Sequence, residues 1–246
     1  MKKKLFVVSD IHGHYTLLRQ ALEKAGFIRN NPQHLLICCG DCFDRGCENF
    51  NVLSFLDRIN NKVIIRGNHE EMLIKIIESG RLELHNFING ADITVSEFFG
   101  RYCIDKSNGS LDFSGKTQMV NRVSDFLSET IDYFETEKYI FTHGWLPNIY
   151  KDGKMLTDKN WRHASFDEWK KARWTKWTDM YRDSKNLITG KTVVCGHYPT
   201  FCAEENKQKG GKEKFGIFYG NGVIALDAGT YTSGVINVLV VDDEMI

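Results

Sequence analysis

Asp10, His12, Asp41, Asn68, His143 and His197 are the residues whose types and places could do chemistry, because each follows closely on a short apolar run. A single case would mean little. Five such runs ending in carboxylate, amide or imidazole, at one end of neighbouring strands, describe a built site. Oxygen and neutral nitrogen donors that need no thiolate suit divalent manganese, iron, zinc or nickel. Two dications would bring four positive charges, of which Asp10 and Asp41 cancel two, and the surplus suits a phosphoryl dianion. Such ions can lower the pKa of a bound water from 15.7 to about 7, and a pair about 3.5–4 Å apart can clamp both oxygens of an in-line displacement.

The neighbouring residues fill the other roles. Arg45 offers a planar fork that matches phosphate oxygens bidentately, which a lysine does not copy. His69 follows Asn68 directly and could protonate a leaving alkoxide, with Asp44 orienting its ring. Gly40, Gly46 and Gly67 let the backbone turn tightly beside these side chains.

The elements that must position them are short strands. Residues 35–39 and 63–65 are apolar runs, and between them Phe50, Leu53, Phe55, Leu56 and Ile59 recur at helical spacing. That is a βαβ unit, whose ligands bind beyond the carboxyl ends of the strands. Residues 4–9 predict a first strand, and residues 15–25 a helix closed by Gly26. A helix is expected from Asn68 to about residue 79, with Glu70 and Glu71 in its first turn, where the helix dipole favours them. Residues 81–135 read as mainly helical with a break at 107–110. Strands return at 139–142 and 192–195, then as a hairpin, 216–219 with 223–226, around Gly220-Asn221-Gly222, and at 234–241.

With 246 residues the chain can bury one full core, so a single domain over 1–246 is expected. Lys+Arg and Asp+Glu both number 32, so no overall field favours nucleic acid or an anionic membrane, and neither is expected as a partner. The opening MKKKLFVV is cut by Asp10 and His12, too early for a signal peptide, and no run approaches the roughly 20 apolar residues of a membrane span. Seven cysteines do not form a disulfide framework, which points to a reducing, cytoplasmic location. Cys39 and Cys42 straddle Asp41 and read as buried thiols, while His14, His34, His85 and His163 read as surface or satisfied histidines. All five tryptophans fall between His143 and His197. They predict a helical sub-lobe at about 145–190 with its own aromatic core, or else a cover over the crevice. Residues 204–214 read as a solvated loop.

Asp10-x-His12-Gly13, Gly40-Asp41-x-x-Asp44-Arg45-Gly46 and Gly67-Asn68-His69-Glu70 resemble the three signatures of the phosphoprotein phosphatase family, within the calcineurin-like metallophosphoesterases. The likeness is close over residues 4–90. It continues as islands: Phe141-Thr142-His143-Gly144, Cys195-Gly196-His197-Tyr198-Pro199-Thr200 and Leu226-Asp227-Ala228-Gly229. The resemblance implies an α/β (α+β) fold, a central two-sheet β-sandwich flanked by helices. It also implies two divalent ions, one held by Asp10, His12 and Asp41, the other by Asp41, Asn68, His143 and His197, with Asp41 bridging. Arg45 would grip phosphate, and His69 with Asp44 would be the acid pair.

In similar phosphatases a second arginine binds phosphate between the last two histidine motifs. Here Lys176 takes that place in Arg173-Trp174-Thr175-Lys176-Trp177, with Arg173 or Arg182 as stand-ins. The expected activity is phosphomonoester hydrolysis by metal-bound hydroxide, most simply manganese-dependent, with no covalent phosphoenzyme. Substrates would be phosphoserine and phosphothreonine proteins or small phosphoesters. The alternatives are a dinucleoside tetraphosphate hydrolase, which shares the metal motifs, and a non-catalytic binding protein on the same fold.

Overall fold

The apolar run in the first strand is continuous because the strand is buried on both faces, Leu5 and Val7 on one side and Phe6 and Val8 on the other. In the computed structural model, which describes residues 2–188 and 190–244, β1 (Lys2–Val8) pairs parallel with β2 (His34–Cys38). β2 in turn pairs parallel with β3 (Lys62–Ile64). β11 (Leu239–Glu244) closes this four-stranded sheet antiparallel to β1. The second sheet has the order β4 (Tyr133–Glu135), β5 (Tyr139–Thr142), β8 (Thr192–Cys195), β10 (Val223–Ala225) and β9 (Phe218–Gly220). Its three central strands, β5, β8 and β10, are parallel.

The sheets pack face to face. Leu5, Val7, Leu35 and Ile37 from the first meet Phe141, Val194, Ile224 and Leu226 from the second. The outer face of the first sheet carries α1 (Tyr15–Lys24), α2 (Asn49–Asp57), α3 (Asn68–Ser79), α4 (Leu84–Ile88), α5 (Ala91–Phe99) and α6 (Thr117–Ser128). Leu18, Val52, Leu53, Leu73, Val95 and Phe126 from these helices join Phe6, Val8 and Leu36 in one core. Fold and layers are therefore an α/β two-sheet sandwich flanked by helices.

Four expectations about elements need correction, the first at residues 204–214, where Glu204–Lys207 is a short helix and Gly211–Phe215 a 3-10 turn instead of loop. β4 lies in a stretch read as helical, where Tyr133–Glu135 instead pairs with β5. The last strand begins at Leu239 rather than 234, because its acidic end pairs in register with the basic start of β1, Asp243 opposite Lys3 and Asp242 opposite Lys4. The stretch 145–190 is not wholly helical. It contains a hairpin of β6 (Asn148–Lys151) and β7 (Lys154–Thr157), besides α7 (Phe166–Ala172) and α8 (Trp177–Met180). Trp145, Trp161, Trp169 and Trp177 are buried against the outer face of the second sheet, whereas Trp174 is 51% exposed. Among the described residues no helix is long and apolar enough to cross a membrane.

Candidate metal centre

Parallel pairing puts the carboxyl ends of β1, β2 and β3 on one edge of the first sheet, and those of β5 and β8 on one edge of the second. The loops leaving these ends are laced together. Asp10 N–H donates to the Gly40 carbonyl at 3.1 Å, His12 N–H to the Asp41 carbonyl at 3.0 Å, and Gly196 N–H to the His143 carbonyl at 2.7 Å. The turns are sharp enough to place Asp10, His12, Asp41, Asp44, Arg45 and His197 at φ between 47° and 71°; among the other described non-glycine residues only Asp152 has positive φ. Left-handed conformations cost about 1 kcal/mol or more each and cluster where a site over-determines the backbone. Gly67 is required by crowding, since a Cβ there would lie 2.2 Å from Asp41 Oδ1.

The six proposed ligand side chains come together. Donor atoms of His12, Asp41 and His69 lie within 4.8 Å of one another, and so do those of Asp41, His143 and His197. Asp10 Oδ1 is 3.9 Å from His12 Nε2. Asn68 Oδ1 sits between two imidazoles, 2.9 Å from His143 Nε2 and 3.0 Å from His197 Nδ1. Asp41 is shared: Oδ2 is 3.7 Å from His12 Nε2 and 3.8 Å from His69 Nε2, while Oδ1 is 3.4 Å from His143 Nε2.

Tautomers follow from the outer contacts. His12 Nδ1 faces the Phe43 carbonyl at 3.0 Å and His143 Nδ1 the Cys39 carbonyl at 2.8 Å. A carbonyl only accepts, so both Nδ1 atoms carry protons and both Nε2 atoms point into the site.

These groups fit a divalent cation. His143 Nε2 faces two oxygen acceptors, Asn68 Oδ1 and Asp41 Oδ1, an arrangement that is stable only with positive charge between them. Burial favours the neutral ring, but Asp41 and Asp10 overcome it and raise His143 to about 10. Burial lowers His197 to about 4 and raises Asp10 to about 6. Burial would also raise Asp41, yet His143, His69 and His12 hold it well below the usual carboxylate range. Without added cations, the His143 imidazolium is the positive charge that faces Asp41 and Asp10. Arg45 supplies a further cation, its Nη1 donating to His12 Nε2 at 3.0 Å and its Nη2 3.4 Å from His69 Nε2.

His69 Nδ1 is 2.7 Å from Asp44 Oδ2. Asp44 is itself held by the Thr94 hydroxyl, which donates to Oδ1 at 2.5 Å, while Asn49 Oδ1 accepts its N–H at 2.9 Å. Glu70 is the residue that sequence reasoning missed. Its buried carboxylate collects three amides, from Asp41, Cys42 and Gly67, each at 2.8 Å, and so ties the second motif to the third. Its place in the first turn of α3 was the visible signal; the converging amides were not.

Of the three basic candidates for a second phosphate contact, none joins the centre directly. Arg173 is buried, 2.9 Å from Glu71 Oε2 and hydrogen-bonded to Asp132, so its charge is already matched. Lys176 is exposed at the rim, its Nζ 4.7 Å from the Tyr198 ring centre. Arg182 lies on Tyr181, away from the ligands. His14 turns to the Ile11 carbonyl and His34 packs on Phe6. All seven cysteines are free thiols; burial drives Cys39 well above its ordinary value, and contact with Cys38 does the same for Cys42.

Known proteins resemble this arrangement at both levels. A 78-residue stretch is 38% identical to serine/threonine-protein phosphatase 2 of Escherichia coli (strain K12), covering 32% of this chain and 34% of that one. A 72-residue stretch is 36% identical to the symmetrical bis(5'-nucleosyl)-tetraphosphatase of Buchnera aphidicola subsp. Acyrthosiphon pisum, covering 29% and 26%. The matches thus span about a third or less of these relatives' own length. Over 99% of this chain and 80% of the other, the fold matches a serine/threonine phosphatase structure from Saccharomyces cerevisiae, with a TM-score of 0.52 at 15% identity. The sequence profile of the calcineurin-like phosphoesterases matches residues 3–225, and the chain belongs to that family.

Proposed function

We propose that this protein is a dinuclear metal-dependent phosphomonoesterase acting on phosphoserine and phosphothreonine in proteins. The sharing of Asp41 between two groups of donors is the observation that carries the reading. Asp10, His12 and Asp41 would hold one divalent ion. Asp41, Asn68, His143 and His197 would hold the other, with manganese first among the metals that mixed oxygen and nitrogen donors suit. Ions held there would supply Lewis acidity, enough to bring a water's pKa from 15.7 to about 7.

The chain's own groups would do the rest. Arg45, exposed at the mouth, would turn its fork to two phosphoryl oxygens. His69 would deliver a proton from Nε2 to the leaving alkoxide while Asp44 holds Nδ1–H. Lys176 would add a point charge at the rim. Water would be the nucleophile, with no covalent phosphoenzyme; the nearby hydroxyls of Ser9, Thr94 and Thr230 donate to the Asp10 and Asp44 carboxylates and to the Asp10 carbonyl. Free thiols throughout suit a reducing compartment, and the cytoplasm is the proposed location.

A second reading, hydrolysis of dinucleoside tetraphosphates, is supported by exposed Trp174, whose ring lies 5.8 Å from that of His197 and could stack on a base. Turnover of p-nitrophenyl phosphate, a phosphopeptide and diadenosine tetraphosphate tests both. The phosphopeptide should be preferred, with activity abolished by chelator and restored by Mn²⁺. Preference for the dinucleotide would install the second reading, and a chain inert with every metal would leave only a binding role.

A further inference from the structure

Asp44 and Arg45 sit on a loop whose backbone is left-handed at both residues, with φ of 71° and 68°. The Asp44 carboxylate is not fixed by its own rotamer, because the last torsion of an aspartate is broad and roughly two-fold. Its grip comes from α5, 50 residues further along the chain. Thr94 Oγ1 accepts the Asp44 N–H at 3.0 Å and donates to Asp44 Oδ1 at 2.5 Å. A hydroxyl has one hydrogen, and with the amide on its acceptor side that hydrogen is directed at Oδ1. The other carboxylate oxygen, Oδ2, is left facing His69 Nδ1 at 2.7 Å.

Thr94 is itself held rigidly. It is fully buried, its branched side chain is stiff at χ1, and Ala91, Val95, Phe98 and Phe99 lock its helix into the core. Phe98 meets the Phe43 ring edge-on, 5.3 Å between centres, so the helix packs on the residue just before Asp44. One turn on from Thr94, Glu97 Oε2 accepts the Phe50 N–H at 3.0 Å and Oε1 the Asn49 side-chain N–H at 3.1 Å. Asn49 Oδ1 in turn shares the Asp44 N–H, at 2.9 Å. Just before the helix, a Cβ on Gly90 would lie 2.7 Å from Arg45 N. α5 therefore clamps the loop that carries Asp44 and Arg45, and a helix holds such a geometry more precisely than a second loop would.

We propose that Thr94 is a positioning residue for proton delivery: its hydroxyl sets the plane of the Asp44 carboxylate, and Asp44 sets the His69 ring so that Nε2 faces the leaving oxygen. The proposal rests on the phosphatase reading and extends the pair of Asp44 and His69 by a third member, outside the three sequence motifs. Thr94 touches no reacting atom. Its removal should slow the protonated departure of an alkoxide and leave substrate binding and metal content alone.

Two substrates separate this role from a merely structural one. The serine alkoxide of a phosphopeptide must take up a proton as it leaves, whereas p-nitrophenolate is stable enough to leave without one. kcat, KM and bound Mn²⁺ are measured for the native chain, T94V, T94A and T94S. T94V should lose about tenfold in kcat on the phosphopeptide, with KM, Mn²⁺ content and turnover of p-nitrophenyl phosphate within about twofold of native. T94S, which keeps the hydroxyl, should restore the rate, and T94A gives the same comparison should valine beside the carboxylate prevent folding. Native turnover without the hydroxyl, equal losses on both substrates, a loss carried by KM, or a T94S chain as slow as T94A overturns the proposal. A native chain inert towards both substrates would strike the phosphatase reading instead. The His69 Nδ1–H resonance, assigned by its absence from H69N, would still decide the role of Thr94: in T94V or T94A it should shift or broaden by exchange, and an unchanged resonance overturns the proposal.

Discussion

His69 shows how much one side chain depends on its neighbours. Burial disfavours its charged form, but Asp41 and Asp44 outweigh burial and raise its pKa. The contact of its Nδ1 with Asp44 favours the protonated ring, the form a donor to a leaving group needs. His69→Asn should retain metal content while turnover of phosphomonoesters falls roughly 10²–10⁴-fold; steady-state kinetics beside elemental analysis would show it, and unchanged turnover would remove His69 from the chemistry. Glu70 gives a prediction of a different kind. Glu70→Gln sets an NH₂ group against the amides of Asp41, Cys42 and Gly67, which should cost about 1.5–3 kcal/mol in chemical denaturation. No loss would mean that the three amides do not depend on it. The ligand types were legible in the sequence because metals demand particular donors. Glu70 was not, because its task is defined by backbone amides brought together only in the folded chain.

At the scale of elements, α3 and the segment after α7 meet through one buried ion pair. Arg173 bridges Glu71 on α3 and Asp132 ahead of β4. The next residue, Trp174, offers its carbonyl to the His197 ring. We propose that Arg173, already paired with both carboxylates, is a positioning residue and not a phosphate contact. Arg173→Met should lower stability by roughly 3 kcal/mol, the low end for a broken buried pair, since Lys75 and Lys170 still face Glu71. It should also weaken Mn²⁺ binding, which titration calorimetry would read; native stability and affinity in this variant would contradict the role.

The strands at 139–142 and 192–195 were legible to the residue, since their runs are short, β-branched or aromatic, and end in glycine and histidine. The β6–β7 hairpin was signalled by Asp152-Gly153, both at positive φ as a tight hairpin turn needs, but surrounding tryptophans drew the reading toward helix. β4 has no such mark. It is an edge strand of three residues whose one ladder partner among the described strands is β5.

For the whole molecule, the arrangement of the sheets matters more than either sheet. The first supplies Asp10, His12, Asp41 and Asn68, the second His143 and His197, so bound ions would pin the two halves of the sandwich together. An ion at a hundred times its dissociation constant stabilises the folded state by about 2.7 kcal/mol. In a chain of this size each kcal/mol moves Tm by about 2–4 °C. Removing metal with chelator should therefore lower Tm by at least about 5 °C, read by calorimetry, and an unchanged Tm would mean that no ion bridges the sheets. This convergence was legible only as a coincidence of strand endings; that two separate sheets pack face to face and so bring those endings together follows from the packing of Leu5, Val7 and Ile37 on Phe141 and Val194.

Anomalous diffraction from crystals grown with Mn²⁺ tests the shared centre most directly. Two peaks should flank Asp41, one beside Asp10 and His12, the other beside Asn68, His143 and His197. A single peak away from Asp41, or none, would contradict the account.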